Sequence, residues 1–330
     1  MALIKETPMK RILGLMLAVA EIVTAGHAAA QSNYPEKPIR IVVGFPPGSG
    51  LDIVARLLGQ KFAEAWGKPV VVENVIGAGG NIAADRVAKA APDGYTLALA
   101  ANSQIVVNPS LYKLSYDPVK DFAPVSQVSA WSTILVVHSA VPAKSVQELV
   151  ALAKTQPSGL TFASGGSGSA THLAGELFMS TASLDVRHIP YKGVVSAMPD
   201  LLAGRVTMMF SPQPVVLPAV REGKLRALAV TSLKRSSAVP ELPTIDESGF
   251  PGFEVTSWYG LLAPARTPAT IVRKLHLETV KALALPDLRA KLAELGFEII
   301  GNSPDEFATI IKSEMPKWAK LIKEAGIKPD

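Results

Sequence analysis

Hydrophobic and polar positions along this chain switch repeatedly between a period of two and a period near 3.6. Pro38 to Phe45 (PIRIVVGF) is a short β-branched run closed by Pro46-Pro47, which predicts a buried strand. From Asp52 the period changes: Val54, Leu57, Leu58, Phe62, Ala65 and Trp66 share one helical face, and Gly67 stops it. Pro69 to Val75 predicts a second strand, Gly77-Ala78-Gly79-Gly80 a turn, Asn81 to Ala91 a helix and Tyr95 to Ala101 a third strand. Strand, helix, strand, helix, strand is the signature of a parallel sheet covered on both faces.

After a proline-spotted stretch from Asn108 to Pro124 the pattern restarts. It predicts strands at Thr133–Val137, Leu160–Ser164, Asp185–Tyr191, Val206–Phe210 and Leu225–Thr231. Helices are expected at Val146–Lys154, Ala170–Thr181 and Val195–Ala203. Glu241 to Gly252 is turn-rich, and Phe253 to Leu262 is extended. In the helical tail, Ser303-Pro304-Asp305-Glu306 is a capping box with proline at the first helical position. Phe307, Ile310, Ile311, Trp318, Leu321 and Ile322 form its apolar stripe, and Gly326 ends it. That stripe needs a core to cover, and the first sheet is the expected one. The reading is therefore α/β with two domains: a discontinuous one over 31–130 plus 255–330, and one over 131–254. The crossings near 125–135 and 250–260 are where hinges are expected.

Composition narrows the function. The chain has 330 residues, long enough for a large core in two domains, and no cysteine, so neither disulfides nor thiolate metal sites contribute. The net charge of +5 is scattered; Lys317, Lys320 and Lys323 follow helix spacing as a solvated face, not a nucleic-acid patch. Lys5, Lys10 and Arg11, the apolar run Ile12–Ala20 and the small residues Ala28-Ala29-Ala30 read as a signal peptide over 1–30. Cleavage after Ala30 would leave a periplasmic protein with no membrane insertion of its own. The apolar run is shorter than the roughly 20 residues a spanning helix needs.

The candidate chemistry lies in two glycine- and serine-rich turns, each between an apolar run and an amphipathic helix. The first is Phe45-Pro46-Pro47-Gly48-Ser49-Gly50-Leu51-Asp52. The second is Ala163-Ser164-Gly165-Gly166-Ser167-Gly168-Ser169-Ala170-Thr171-His172. Each sets bare backbone N–H groups and small hydroxyls at the positive end of a helix, where an anion is stabilised without a cation. Gly48, Ser49 and Gly50 are the expected donors of the first turn. Asp52 reads as an N-cap pairing with Arg56. Ser164, Gly165, Gly168, Ser169 and Thr171 are their counterparts in the second. Neither turn fits a Walker, Rossmann or G-x-S-x-G pattern. His172 and Glu176 lie one turn apart, but without a visible third ligand His172 reads as a structural histidine bonding the turn. The other histidines of the mature chain, His138, His188 and His276, read as isolated, and Trp131 and Trp258 as core. Asn102 and Ser103, after the third strand, Lys192 in PYKG, and Ser211 after the Phe210 strand are further candidates for the ligand's far end. No catalytic set, metal or cofactor is expected. The alternatives are a periplasmic hydrolase using Ser167 or Ser169 with His172, and a sensor subunit of a signalling system.

Several strings identify a relationship: Tyr34-Pro35, Pro38-Ile39-Arg40, FPPGSGLDIVAR (Phe45–Arg56), VVVENVIGAGGNIAADRVAKAAPDGYTL (Val70–Leu97), HLAGELF (His172–Phe178), PYKG, GKLRALAVTS (Gly223–Ser232) and WYGLLAPA (Trp258–Ala265). In order and spacing the chain resembles the tripartite tricarboxylate transporter receptors, also called Bug-type solute receptors. The resemblance implies a monomeric periplasmic receptor of venus-flytrap fold that delivers a solute to membrane transporter subunits. It implies a carboxylate held by backbone groups and waters from two opposed loops, here Phe45–Asp52 (Phe45 and Pro47 included) and Ser164–Thr171. Two departures stand out. Leu51 replaces a small polar residue, and Phe210-Ser211-Pro212 replaces Phe-Asp-Asn. Both predict a less polar carboxylate, aromatic or aliphatic, over an amino acid.

Overall fold

The computed structural model describes residues 34–328 other than Ser158, Ser167 and Ser237, so the expected leader and Ser167 lie outside the described residues. The first unit follows the sequence pattern closely: β1 (Ile39–Val43), α1 (Gly50–Trp66), β2 (Val70–Asn74), α2 (Asn81–Ala88) and β3 (Thr96–Ala101). β1 pairs in parallel with both neighbours, Ile41 lying beside Val72 and Leu97. Gly67 ends α1 in the left-handed conformation, as its place after the last periodic residue requires.

The next strand departs from expectation. β4 runs over Phe122–His138, seventeen residues where only Thr133–Val137 reads as strand. Pro124 and the polar Ser126, Gln127, Ser129 and Ser132 hide its first half, yet all four polar residues are buried. The strand absorbs Pro124 through register shifts between Pro124 and Ser126 and between Gln127 and Ser129. Phe122–Ser132 pairs antiparallel with β9 (Thr256–Pro264), which in turn runs antiparallel to β3. Thr133–His138 pairs instead with β7 (Met208–Pro212) and β8 (Leu225–Val230).

Beyond β4 lies a second parallel unit, in which β5 (Thr161–Ser164) pairs with β7 and with β6 (Arg187–Pro190). Its helices are α3 (Val146–Thr155), α4 (Ala170–Ala182), α5 (Val194–Leu202) and α6 (Gln213–Arg221). α6 is absent from the sequence reading because Pro214 and Pro218 break its pattern. Pro214 falls in the first turn, where no N–H is needed, and Pro218 forgoes a single internal bond. Two parallel units are thus joined through the antiparallel strands β9 and β4 into one mixed ten-stranded sheet.

The tail contributes α7 (Ala269–Ala284), α8 (Pro286–Glu294), a short β10 (Glu298–Ile299) paired with β4, and α9 (Pro304–Glu324). Both bonds of the capping box form: Glu306 N–H donates to Ser303 Oγ at 3.3 Å, and Ser303 N–H to Glu306 Oε2 at 2.8 Å. α9 packs along β4 and the helical turn Ser103–Val107. Phe307 occupies the space that a Cβ on Gly260 of β9 would need, and stands edge-on to Trp258 at 5.1 Å. The largest apolar cluster runs beneath α9 and α4 across both units, joining Ala98, Leu135, Phe162, Phe178, Trp258 and Phe307. Each such large side chain contributes about 1.5–3 kcal/mol on burial.

Candidate ligand-binding cleft

The two turns share one local design. Ser49 caps α1 and Ser169 caps α4, with φ/ψ of −67/157° and −68/158°. In each turn the cap Oγ accepts from the N–H three residues on, Asp52 or His172, at 3.3 Å. In each, that third residue accepts back from a left-handed glycine before the cap. Gly48 N–H donates to Asp52 Oδ2 at 2.9 Å, and Gly168 N–H to His172 Nδ1 at 3.0 Å. Thus Ser49, not Asp52, is the N-cap.

These internal bonds decide which amides are free. Ser49 N–H is taken by Pro46 O, Ser169 N–H by Gly166 O, and Gly165 N–H by Thr171 Oγ1. The expected donors Gly48 and Ser49 are therefore occupied, because the turn needs them to close on itself. The N–H groups of Gly50 and Leu51, and of Ala170 and Thr171, have no acceptor among the described residues. They are the first two helical positions of each helix, where the dipole favours an anion.

Both helix starts open on one cavity of about 280 Å³, lined by Phe45, Ser49 and Leu51 from one side and Gly168, Ser169 and Ala170 from the other. Gly79, Ala101, Asn102, Ser103, Trp131 and Tyr259 complete the wall. Asn102 is 6 % exposed, and its amide has no hydrogen-bond partner among the described residues. A second recess of about 240 Å³ shares Trp131 and Tyr259 and includes Gly50 and Phe297.

The remaining candidates stand back from the cavity. Pro47 is exposed on the outer side of its turn and Lys192 is exposed; neither lines the wall. Ser164, Thr171 and Ser211 are buried; Ser164 Oγ accepts from Gly166 N–H at 3.1 Å, and Ser211 Oγ donates to Pro212 O. Asp52 is buried with its oxygens spent on Gly48, Arg56 and Asn74, at 2.9 Å each. Burial alone would raise its carboxyl; the Arg56 guanidinium, the Gly48 amide and Asn74 outweigh that and hold it below the ordinary carboxylate range.

His172 bonds the turn backbone, as its position suggests, but it is not solitary. His188 stacks on it at 3.9 Å with planes 11° apart, because β6 lies beside β5 and Phe162 faces His188 across that pair. With Glu176 they bring three residues able to ligate a metal within 4.8 Å of one another. Cofacial rings aim their lone pairs side by side, a poor geometry for one ion. His188 Nε2 lies 2.6 Å from Ser164 Oγ, a part-buried serine–histidine contact that does not line the cavity.

The sequence reading missed Gly79, Ala101, Trp131 and Tyr259 as wall residues, whereas Leu51 and Ala170 fall inside the two expected turns. Trp131 was expected in the core; it lies against Tyr259 at 4.4 Å and Phe297 at 5.4 Å on the cleft side of the sheet. The available signal was the alternation Trp258-Tyr259, which must send one ring to each face.

Known proteins resemble this chain in sequence and fold. Residues 54–327 match the tripartite tricarboxylate transporter family receptor model. The chain is 36% identical over 326 residues to Protein BugT of Bordetella pertussis, covering 98% of each. Among solved structures it is similar to Rpa4515 of R. palustris with adipate (35% identity, TM-score 0.77, 90% of this chain and all of that one). It is also similar to MatC of Rhodopseudomonas palustris with bound malate (34%, 0.73, 88% and 100%). The α/β fold is that of the two-domain periplasmic binding proteins, and no helix among the described residues is long and apolar enough to cross a membrane. This chain belongs to the tripartite tricarboxylate transporter receptor family.

Proposed function

We propose that the protein is a non-enzymatic, monomeric periplasmic receptor. It grips a small organic carboxylate between the Phe45–Asp52 and Ser164–Thr171 turns and hands it to the membrane subunits of a tripartite tricarboxylate-type transporter. The observation that carries this reading is that both helix starts, each with acceptor-free N–H groups, open on one cavity whose wall includes Leu51 and Ala170. The bound adipate and malate of the two R. palustris relatives support the same chemical class here. The discontinuous division (31–130 with 255–330, and 131–254) makes each turn one jaw, so an acid that touches both favours the closed state. Phe45, Leu51, Ala101, Trp131 and Ala170 favour an acid with an aryl or alkyl body over an amino acid. With no side-chain cation in the wall, release leaves no buried charge behind.

The test deletes one donor without disturbing its helix. Ala170 is the first helical position, and Ser169 before it already has the extended backbone that a following proline demands. Ala170→Pro should fold normally. Its affinity for the acids that raise the melting temperature in a thermal-shift panel of acetate, hexanoate, benzoate, adipate, malate and aspartate should fall about tenfold. That is the roughly 1.4 kcal/mol expected for one hydrogen bond to a charged group. Ala170→Gly, which keeps the N–H, should bind as the parent does. Undiminished binding by the proline variant, or no binding of any acid by the parent, would overturn the reading.

A further inference from the structure

Tyr259 lies in β9 between Ala101 of β3 and Ser129 of β4. Strand alternation turns Trp258 towards α9, where its indole donates to Glu314, and turns Tyr259 into the cleft. Trp131 at 4.4 Å and Phe297 at 5.5 Å fix the ring. The hydroxyl stands 3.0 Å from where a Cβ on Gly50 would lie, over the first residue of α1, and glycine leaves it that space.

A phenol beside a free amide ordinarily accepts from it. Here no such bond forms, and the hydroxyl has no partner among the described residues, although the ring is largely enclosed. The O–H and the N–H groups of Gly50 and Leu51 are therefore donors without an acceptor around the start of α1, Tyr259 lining one recess with Leu51 and the adjoining one with Gly50. That assembly is favourable only when an acceptor enters it. Burial pushes the phenol well above its usual range, so it remains a donor, never a phenolate facing the incoming anion.

We propose that Tyr259 is the side-chain donor of the carboxylate site, giving its hydroxyl proton to one ligand oxygen while the start of α1 holds the same group. This rests on the carboxylate-receptor reading and adds a selectivity to it. The O–H donor rewards an ionised oxygen, so the site separates an acid from its own primary amide. The stack on Trp131 fixes the direction in which the ligand body leaves the carboxylate.

Tyr259→Phe keeps the stacked ring and removes only the donor. The parent and this variant are titrated calorimetrically with acetate, hexanoate, benzoate, adipate and malate, and with hexanamide and benzamide. Expected is an unchanged melting temperature without ligand and a dissociation constant raised about tenfold or more for every acid the parent binds. The preference for acid over amide should fall by the same factor. Equal acid affinity in the two proteins overturns the assignment and leaves the receptor reading intact. An equal loss for acids and amides does the same, since it reports disturbed packing. A parent that binds none of the acids overturns both.

Discussion

Asp52 carries a negative charge within one turn of the amides proposed to hold an anion, and its surroundings explain why the two coexist. Its oxygens accept from Gly48, Arg56 and Asn74, so its charge is spent on bracing the turn. Because its pKa is lowered by folding, the stabilisation is fully present above the ordinary carboxyl value of 3.8. It is lost as pH falls through the lowered native value. Asp52→Asn should therefore destabilise the protein by about 1–2 kcal/mol at pH 7, Arg56 being half exposed, with a smaller difference near pH 3 in urea midpoints. A gap that widens on acidification would contradict this account. The Gly-Ser turns and the Arg56 pair were legible in the sequence. Which amides stay free was not, since that depends on bonds from Gly48 to Asp52 and from Gly168 to His172, which only the folded turn closes.

Elements with a single clear period were legible, and α9 shows both the reach and the limit of that. Its capping box and stripe followed from spacing, whereas the position of Glu314 did not. Glu314 sits on the buried side between two indoles, accepting from Trp258 Nε1 at 3.0 Å and Trp318 Nε1 at 3.5 Å. Burial raises its pKa, and the two indole bonds only partly offset that. For a carboxyl raised by folding the sign reverses: stability falls as pH climbs from the ordinary value of 4.5 through the raised one, and the loss persists above it. Glu314→Gln keeps an acceptor for the indoles and removes the charge. It should be more stable than the parent at pH 7, with the advantage vanishing towards pH 4 in thermal melts. By contrast, β4 and α6 were partly or wholly illegible because Pro124, Pro214 and Pro218 carry breaker signals that tertiary context overrides.

At the scale of the whole molecule, β4 changes partners between Ser132 and Thr133, inside the crossing expected at 125–135. The other crossing is tied to it. Thr133 N–H donates to Thr231 Oγ1 at 3.0 Å, Thr231 Oγ1 donates to Val255 O at 2.7 Å, and Val255 N–H returns to Thr231 O at 2.9 Å. These bonds mark where the proposed rotation of one parallel unit against the other would pivot. A ligand drives that rotation only through its tighter grip on the closed state, and moving a 1:99 mixture to 99:1 takes about a 10⁴-fold difference. The chain contains no cysteine, so a designed pair reports this without background. Ile76 precedes Gly79 of the cavity wall, and Val195 follows Val194, which lies beside Gly165 of the second turn; both are exposed. Spin labels on Ile76→Cys and Val195→Cys should give a broad distance distribution without ligand. It should become a shorter, narrower one with a saturating acid from the thermal-shift panel. Adding Ala170→Pro should shift the acid concentration needed upward and leave the closed distance unchanged, because it weakens the grip and not the pivot. An unchanged distribution under saturating acid would mean that the cleft is already formed and that closure contributes nothing to affinity.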